Sequence, residues 1–513
     1  MIDKYAKNTR IFDELPEEKQ GYWFDYKRQK FLHNIDTLYY TVKLNCDFSS
    51  DTLDERVLKF RKFFKSEFDS LNVFDKTYIS DHLPKDLILS RSSFAGVYNI
   101  RLELSDCFDI FMAYSVPNND TSEILVQIRA YFLWIYGAKI AFDKSFERVK
   151  DICSLFDFDI LAVKENRVDF CWHTNYIQDV KSFLNPEKVA NMRVSTLGRD
   201  GDIHLEFDGD CDYEVDYFRF GRKASNNVIF RIYLKSKEVV EQGYKAFFFK
   251  IWLLHGLISR YDLYVYEECF KMRSWGYKDK ARLKFYCEYG SDDLLKNYIN
   301  ENILGENCNP DYDTVKNMAD ILTPKITLIL NFEFQTMRKF SSTLVLTNFK
   351  YRYGVVERIY TYLDNRKLII DYLTDKVFRF VDYDPERDSN KSRCQMTNFW
   401  QRLRSVRLVD CYCNIHDIKL VRSYSNRLSY EMVKKRTLSS IATADVYVHG
   451  TDVASASDCF LDFLSLLNDN DIKRFNFYRE KHSRILKGKV FENSVERKNN
   501  LCLLDKSSGE LIL

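Results

Sequence analysis

The sequence predicts a mixed α+β protein: a central, largely antiparallel β-sheet with flanking helices, followed by a mainly helical C-terminal region. Between about residues 85 and 290, several segments alternate apolar and polar residues, which is typical of antiparallel strands with one solvated face. Segments with apolar residues three and four positions apart separate some of these strands and dominate after residue 291, and this spacing is typical of amphipathic helices.

The length and composition indicate more than one domain. A chain of 513 residues is too long for one compact core, and a hydrophobic content of 45% is ample for core formation. The 16 glycines and 7 prolines are too few for long structureless linkers. We therefore expect three regions: a charged helical region over residues 1–84, an α+β domain over 85–290 and a mainly helical domain over 291–513.

Charge and apolar runs restrict the class of protein. The 77 basic and 75 acidic residues give a net charge of +2, so a site for a polyanion must be a local patch. The charged N-terminus lacks the apolar run of a signal peptide, and the most apolar segment, AFFFKIWLLHGLI, is too short to span a bilayer. The 13 scattered cysteines favour a reduced chain. We expect a cytoplasmic protein that does not bind membranes.

The elements are expected in the following order. In the N-terminal region, LDERVLKFRKFFKSEF has helical spacing. The expected strands are the hairpin YNIRLELSDCFDIFMAYSV, EILVQIRAYFLWIYG (which enters a helix), DILAVKENRVDFCWH, GDIHLEFDG, YEVDYFRFG, VIFRIYLK and ARLKFYCEYG. Helices are expected at FERVKDICSLF, GYKAFFFKIWLLHGLISRY, YGVVERIYTYLDNRKLIIDYL and SDCFLDFLSLLNDNDIKRFNFYREK. Because carboxylates, histidines and tyrosines do not cluster on strand faces after residue 291, we expect assembly or duplex recognition there rather than chemistry.

The strand NRVDFCWH places a set of chemically active side chains on one face: Arg167, Asp169, Cys171 and His173. Asp169 and His173 lie roughly 13 Å apart along a straight strand, too far to share one ion unless the strand bends. We therefore predict Asp169 as the primary ligand of a metal ion and His173 as a secondary ligand. The alternative is an ion pair between Arg167 and Asp169 on an ordinary polar face.

Two further segments repeat this alternation. GDIHLEFDG directs His204 and Glu206 away from the core, and ARLKFYCEYG places a second set on its polar side: Arg282, Lys284, Tyr286 and Glu288. Carboxylate and imidazole ligands from neighbouring strands could hold Mg²⁺ or Mn²⁺, which prefer oxygen-rich sites with open positions. Half-solvated antiparallel strands also alternate in this way without binding anything.

The segment VIFRIYLK places Tyr233 between Arg231 and Lys235 on a polar strand face. Each cation is roughly 6.5–7 Å along the strand from the tyrosine, close enough to favour a phenolate and to attract a phosphate. The surrounding interval is basic and interleaved with aromatic residues; its cations are Arg219, Arg222, Lys223, Arg231, Lys235, Lys237, Lys245 and Lys250. Cations for phosphates and aromatic faces for bases predict a groove for single-stranded DNA, although a solvated face over core aromatics would have the same composition.

The segment YFRFGRKASNNVIFRIYLKSKE resembles rolling-circle replication initiators of the Rep-trans type, which are found on plasmids and related mobile elements. The family has a Gly-Ser-Arg-x-Ser-like turn followed by a strand reading roughly R-[IV]-Y-x-K and then an acid. Here the turn is matched by Gly221, Arg222 and Ser225, and the strand and acid by Arg231, Tyr233, Lys235 and Glu238. NRVDFCWH resembles the family's R-[IL]-D metal strand, with Arg167 and Asp169 matching and His173 where an acid is commoner. The resemblance covers roughly residues 95–290.

The resemblance implies a replication initiation protein that nicks origin DNA. A tyrosine attacks a phosphodiester, keeps the 5′ phosphate and releases a 3′ hydroxyl for a polymerase. It also implies a divalent metal, Mg²⁺ or Mn²⁺, and as partners an origin hairpin with a single-stranded loop, a host helicase and polymerase, and a second copy of the chain. The sequence has no GxxxxGK[ST] loop, which agrees with rejoining that needs no ATP.

The residues expected to carry this function fall into three sets. The catalytic set is Tyr233, Arg231 and Lys235; the DNA-binding set is Arg219, Arg222, Lys223, Ser225 and Lys237; the metal set is Asp169, Glu206, His204 and His173. Tyr217 is the rival nucleophile, because a register slip of one residue would exchange the two faces. Two other functions stay open: a conjugative relaxase with the same chemistry, and a non-catalytic DNA-binding protein of a phage or plasmid.

Overall fold

The computed structural model describes residues 23–24, 29–70, 77–78, 82–84, 86–118, 121–183, 185–197, 203–207, 213–221, 228–242, 245–305, 308, 310–343 and 357–407, with short segments between 409 and 479. The chain divides into two compact units, Met1–Leu420 and Val421–Leu513. The second unit is described only in short helical segments. The features that follow belong to the first unit.

The first half of this unit contains most of the strands. Its elements are β1 (Phe31–Leu44), α1 (Glu55–Ser70), β2 (Thr77–Tyr78), β3 (Ile88–Phe94), β4 (Tyr98–Leu104), β5 (Phe108–Ala113), β6 (Ile124–Ile128), α2 (Ala130–Tyr136), α3 (Ala138–Leu155), β7 (Ile160–Thr174), α4 (Val180–Phe183), α5 (Pro186–Met192) and β8 (Arg193–Ser195). The expected helix in the N-terminal region is confirmed as α1.

The second half is richer in helix. Its elements are β9 (Ile203–Phe207), β10 (Tyr213–Phe220), β11 (Val228–Leu234), α6 (Lys235–Gln242), α7 (Phe247–Leu254), α8 (Arg260–Met272), α9 (Lys278–Tyr289), α10 (Asp293–Ile299), α11 (Tyr312–Leu322), β12 (Leu330–Met337), α12 (Arg338–Thr343), α13 (Glu357–Asp364), α14 (Arg366–Tyr372), β13 (Phe378–Phe380) and α15 (Asn398–Ser405). The capping box of Ser259 and Asp262 fixes the start of α8.

Eleven of the described strands form one sheet in the order β2-β3-β4-β5-β6-β1-β7-β12-β11-β10-β9. Every neighbouring pair is antiparallel. β8 and β13 form a separate two-stranded sheet. The prediction of an α+β fold with a central antiparallel sheet and flanking helices is therefore confirmed.

The sheet crosses the region boundaries expected from the sequence. β1, from the expected N-terminal region, pairs with β6 and β7 in the middle of the sheet. β12, from the expected helical region, pairs with β7 on one side and β11 on the other. Residues 84 and 290 are thus not boundaries of the sheet, because its central strands come from three distant parts of the chain.

The prediction of a strand at ARLKFYCEYG is wrong, because this segment lies in helix α9. Leu283 and Tyr286 of α9 pack with Val315 and Met318 of α11 in a buried cluster. Arg282, expected on a polar strand face, is buried, and its guanidinium contacts Asp279 Oδ1 at 2.8 Å and Asp320 Oδ1 at 2.7 Å. The apolar positions of this short segment satisfy both the strand and the helix period, and tertiary packing selects the helix.

Both faces of the sheet centre are covered. On the apolar face, Phe230 of β11 contacts the rings of Phe334, Phe378 and Trp400, and Trp400 is fully buried. The opposite, polar face is covered near its middle by α2 and α7, whose aromatic side chains contact His173. The polar face is therefore not the half-solvated surface that the alternation alone suggests.

Among the described residues, no helix is both long enough and apolar enough to cross a membrane.

Candidate functional site

Two rows of polar side chains cross three neighbouring strands on the covered face of the sheet. The register of β7, β12 and β11 aligns His173, Asn331 and Tyr233 in one row and Cys171, Glu333 and Arg231 in the next. Residues directly opposite each other in antiparallel strands share a face, so these six side chains form one layer. The expected faces of β7 and β11 agree with this layer, whereas Asn331 and Glu333 on β12 were not among the residues predicted from the sequence.

Tyr233 is half-buried and hydrogen-bonded on two sides. Its hydroxyl donates to Glu333 Oε2 over 3.0 Å and accepts from Asn331 Nδ2 over 2.8 Å. Asn331 Nδ2 also lies 3.1 Å from Glu333 Oε2. The phenol is thus held against a buried carboxylate that can accept its proton.

An alternating series of cations and carboxylates continues from Glu333 to β7. Arg231 forms an ion pair with Glu333, and its Nη2 lies 3.7 Å from Asp169 Oδ2. The Arg167 guanidinium forms two hydrogen bonds to the Asp169 carboxylate, from Nε to Oδ1 at 2.9 Å and from Nη2 to Oδ2 at 2.5 Å. The ion pair that the sequence left as the alternative for Asp169 is therefore formed, and both carboxylate oxygens face guanidinium groups. Asp169 as a metal ligand stays a prediction.

Lys235 does not continue the strand as expected, because β11 ends at Leu234 and Lys235 is the first residue of α6. Its side chain is nevertheless fully buried beside Tyr233. The ammonium lies 2.8 Å from Glu238 Oε2, 3.4 Å from Asp36 Oδ2 and 3.4 Å from the Tyr233 hydroxyl. Lys245 Nζ contacts the other oxygen of Glu238 at 2.7 Å. Two lysines and two carboxylates therefore form a compact, charge-balanced group.

The pKa of Tyr233 is raised, not lowered as expected. Burial is the main cause and Glu238 adds to it, and together they outweigh the opposing effect of Lys235, Lys245 and Arg231 on this pKa. The phenol is therefore protonated at neutral pH. Any nucleophilic role of Tyr233 needs a proton acceptor, and Glu333 lies in the right place to be one.

The charged group next to it is stabilised in its ionised form. Burial alone would lower the pKa of Lys235, but Asp36 and Glu238 raise it well above its ordinary value. Burial would raise the pKa of Glu238, but Lys235 and Lys245 lower it to about 2. Lys235 is thus a permanent buried cation beside the tyrosine.

Asp36 reaches this layer through a β-bulge. Ile35 pairs with Phe170 and Thr37 with Asp169, so Asp36 is an extra residue of β1 that has no opposite partner on β7. One ligand atom each from Asp36, Cys171 and His173 lie within 4.8 Å of one another, a spacing that could hold a metal ion. His173 is therefore in a candidate metal group, but with Asp36 and Cys171 rather than with Asp169.

This group does not suit the Mg²⁺ or Mn²⁺ expected from the sequence. Those ions prefer oxygen ligands, whereas two of the three donors here are sulfur and nitrogen. Two of the three ligand groups also accept a hydrogen bond from a tryptophan: Trp134 Nε1 donates to Asp36 Oδ1 over 3.2 Å, and Trp252 Nε1 donates to His173 Nδ1 over 3.2 Å. Burial raises the pKa of the Cys171 thiol well above its ordinary value.

The remaining members of the metal set lie elsewhere. His204 and Glu206 belong to β9, the edge strand four positions from β7. Four strand spacings are roughly 19 Å, so the backbones of β9 and β7 are too far apart for their residues to share an ion with Asp169. The expectation that His204 or Glu206 joins Asp169 is therefore wrong, because β11, β10 and β12 intervene.

The structure describes two of the five expected DNA-binding residues. Arg219 is half-buried and lies opposite Arg231 on the neighbouring strand, and Lys237 is half-buried on the first turn of α6. The other three, Arg222, Lys223 and Ser225, lie outside the described residues. The rival nucleophile Tyr217 lies opposite Tyr233, with ring centroids 6.2 Å apart, and its hydroxyl contacts Arg231. Both tyrosines thus face the same layer.

Comparisons with known proteins found a solved structure of low similarity and no matching sequence family. No protein-family model matches the chain. No curated protein matches it at the sequence level. A solved structure of a rolling-circle replication initiator protein from Geobacillus stearothermophilus aligns with 74% of this chain and 100% of its own, at 11% identity and a TM-score of 0.31. Similarity at that level carries no argument about fold or activity.

Proposed function

We propose that this chain is a replication initiation protein of a plasmid or mobile element that nicks single-stranded origin DNA through Tyr233. The observation that carries the proposal is the contact of the Tyr233 hydroxyl with the Glu333 carboxylate at 3.0 Å, next to the buried Lys235 ammonium at 3.4 Å. A nucleophile, a proton acceptor and a fixed cation are the parts that phosphodiester attack by a phenol needs. The R-x-Y-x-K match to rolling-circle initiators supports the same assignment.

The proposed step transfers a phosphodiester from DNA to the protein. Tyr233 Oη bonds to phosphorus as its proton passes to Glu333, and the bond from phosphorus to the 3′ oxygen breaks. The departing oxygen takes a proton from Glu333 or water and becomes a free 3′ hydroxyl, while the 5′ phosphate stays on the tyrosine. The positive charges of Lys235 and Arg231 stabilise the negative charge that develops on the phosphate oxygens during the attack. One phosphodiester replaces another, so rejoining requires no ATP.

The geometry favours Tyr233 over Tyr217 as the nucleophile. Tyr233 donates to a carboxylate, whereas Tyr217 contacts the guanidinium of Arg231, which cannot accept a proton. Both rings are half-buried, so exposure does not separate them. We therefore assign the covalent bond to Tyr233.

Capture of a covalent adduct tests the proposal. The full-length chain is incubated with a library of single-stranded oligonucleotides, with and without Mn²⁺, and adducts are scored by denaturing gel and mass spectrometry. Tyr233→Phe removes only a hydroxyl, so folding and DNA affinity should persist while the adduct disappears; Tyr217→Phe is the matched control and should still form it. An adduct that survives in Tyr233→Phe and is lost in Tyr217→Phe would reverse the assignment.

A second candidate is a non-catalytic DNA-binding protein that keeps the same scaffold. It is favoured by one observation: the Tyr233 hydroxyl is already hydrogen-bonded on both sides, and its pKa is raised by burial. This candidate predicts salt-dependent binding of single-stranded DNA with no adduct under any condition. A conjugative relaxase would form the same adduct as an initiator, and the two differ in whether the recognised sequence is a replication or a transfer origin.

A further inference from the structure

We propose that the buried ammonium of Lys235 takes the place of a metal ion in this polar layer, so that Asp36, Cys171 and His173 hold no metal although their spacing would allow one. The proposal about metal binding stands on the contacts of these residues alone. Its consequence for cleavage, that the Tyr233 site works without a metal in this group, rests on the proposed function. Four observations support it.

The first observation is the charge balance. The carboxylates of Asp36 and Glu238 face the ammonium groups of Lys235 and Lys245, and the Lys235 side chain is fully buried. Two negative and two positive charges already cancel. A divalent ion at Asp36 would add two uncompensated positive charges to a buried site whose carboxylate already lies 3.4 Å from the Lys235 ammonium, which is strongly unfavourable.

The second observation concerns the proton on His173. The indole N–H of Trp252 can only donate, and it lies 3.2 Å from His173 Nδ1, so Nδ1 carries the lone pair. In a neutral imidazole the hydrogen is then on Nε2, which lies buried with no hydrogen-bond partner among the described residues. Metal-binding histidines have the reverse arrangement, in which one nitrogen holds the metal and the other donates its hydrogen to an acceptor. Trp252 thus occupies the lone pair through which this tautomer of His173 would bind a metal.

The third observation concerns the other two donors. The Cys171 thiol donates to the backbone carbonyl of Asn34 over 3.3 Å, so its sulfur carries a hydrogen, whereas a metal requires the thiolate. Asp36 accepts from the Trp134 indole through Oδ1 and faces Lys235 through Oδ2. All three candidate ligands are therefore engaged in contacts that a metal would have to break.

The fourth observation is the rigidity of the lysine. Helix α6 begins at Lys235, whose backbone N–H donates to the carbonyl of Ile329 over 2.7 Å. Its ammonium lies over the rings of Tyr233 and Phe248, at 5.5 and 5.0 Å from their centroids. A cation fixed in this way is always present beside the tyrosine hydroxyl. It can stabilise negative charge at that oxygen, which is the role that a bound metal would otherwise have.

Metal binding by the purified full-length chain decides the matter. The protein is stripped with EDTA, dialysed against Zn²⁺, Mn²⁺ or Co²⁺ in turn, and measured for bound metal, for the absorption band of a cobalt–thiolate bond and for its thermal unfolding midpoint. We expect wild type and Cys171→Ala to bind equal amounts of metal, with no thiolate band assignable to Cys171 and no difference in metal-induced stabilisation. One equivalent of metal that is present in wild type and lost in Cys171→Ala would overturn the proposal.

A charge substitution provides the converse test. Lys235→Met keeps most of the side-chain volume and removes the ammonium, so Asp36 loses its cation and the group becomes able to accept one. We expect Lys235→Met to gain stabilisation by Zn²⁺, which sulfur and nitrogen ligands favour, whereas wild type and Lys235→Arg should lack it. Equal stabilisation of wild type and Lys235→Met would also count against the proposal. Failure of every variant and of wild type to cleave DNA would reject the proposed function while leaving these metal-binding results decisive.

Discussion

At the scale of single residues, the layer around Tyr233 shifts the pKa of the phenol in the direction opposite to the one that the sequence predicts. Arg231 and Lys235 were expected to lower the pKa of the phenol, but burial and Glu238 raise that pKa instead. The two cations form ion pairs with Glu333, Asp36 and Glu238. These carboxylates offset most of the effect that the two positive charges would have on the pKa of the phenol. The consequence is that the proton acceptor, Glu333, becomes the residue on which the proposed chemistry depends.

Replacing Glu333 by glutamine tests this dependence. Glu333→Gln retains the shape and a hydrogen bond to Tyr233 but removes the group that takes the proton, so adduct formation should fall by roughly 10²–10⁴-fold. Binding of single-stranded DNA should persist, because it depends on cations rather than on Glu333. Rates of adduct formation in excess enzyme measure the change.

Glu386→Gln is the control for Glu333→Gln, since it makes the same change at an exposed glutamate and should have no effect. A circular dichroism spectrum and an unfolding midpoint establish that Glu333→Gln is folded, which matters because Arg231 loses an ion-pair partner. Normal rates in a folded Glu333→Gln would remove Glu333 from the mechanism.

At the scale of elements, the sequence predicts local faces well and long-range neighbours poorly. Period-two alternation correctly places Asp169, Cys171 and His173 on one face of β7 and Tyr233 on the corresponding face of β11. The same alternation is present in LNFEFQTM of β12, and it was the available signal for Asn331 and Glu333. No local pattern states that β12 inserts between β7 and β11, because strand order depends on pairing across more than a hundred residues.

Two other features of the structure, the bulge in β1 and the helix α9, could not be predicted from local sequence patterns, each for a different reason. The bulge that brings Asp36 into the layer is a one-residue shift between β1 and β7, and it becomes visible only when the two strands are paired. The helix α9 has a short segment whose apolar positions fit two periods, and packing against α11 decides between them.

Truncation tests the role of β12. A fragment ending at residue 290 lacks β12, so β7 and β11 lose the strand that joins them, together with Asn331 and Glu333. We expect this fragment to show no cooperative unfolding and no adduct, in contrast to the division of labour that the sequence suggests. Circular dichroism melting and limited proteolysis measure folding of the fragment.

A fragment ending at residue 420 is the matched comparison, because it corresponds to the first compact unit. We expect it to unfold cooperatively. A folded, adduct-forming fragment that ends at residue 290 would show that β12 contributes neither stability nor chemistry.

At the scale of the whole molecule, the sheet is the element that connects distant parts of the chain. Its apolar face packs against α13 and α15 and its polar face against α2 and α7, so ionisable groups that alternation assigns to a solvated surface are buried. Stability of the first unit is therefore coupled to the protonation of this interior layer and of its neighbours.

Acid unfolding should report this coupling. Burial lowers the pKa of His173 from 6.5 to about 3, and it has the same effect on His33, a buried residue of β1 whose ring stacks on Trp172. Both rings therefore stay neutral in the folded protein. Between pH 6.5 and 3 the unfolded chain binds protons at these positions that the folded chain does not, so stability falls as the pH falls through this range. Glu238, whose pKa is lowered by its lysines from 4.5 to about 2, extends the loss below pH 4.5.

Each histidine should contribute on the order of a few kcal/mol to the total fall of the unfolding free energy between pH 6.5 and 3. We expect His173→Gln, which cannot be protonated, to flatten the dependence of the unfolding free energy on pH between 6.5 and 3, whatever its effect at pH 7. Denaturant titrations at several pH values measure the slope for each variant. If His173→Gln and wild type have equal slopes, His173 does not stay neutral in the folded layer, and the tautomer assigned from Trp252 would have to be abandoned with it.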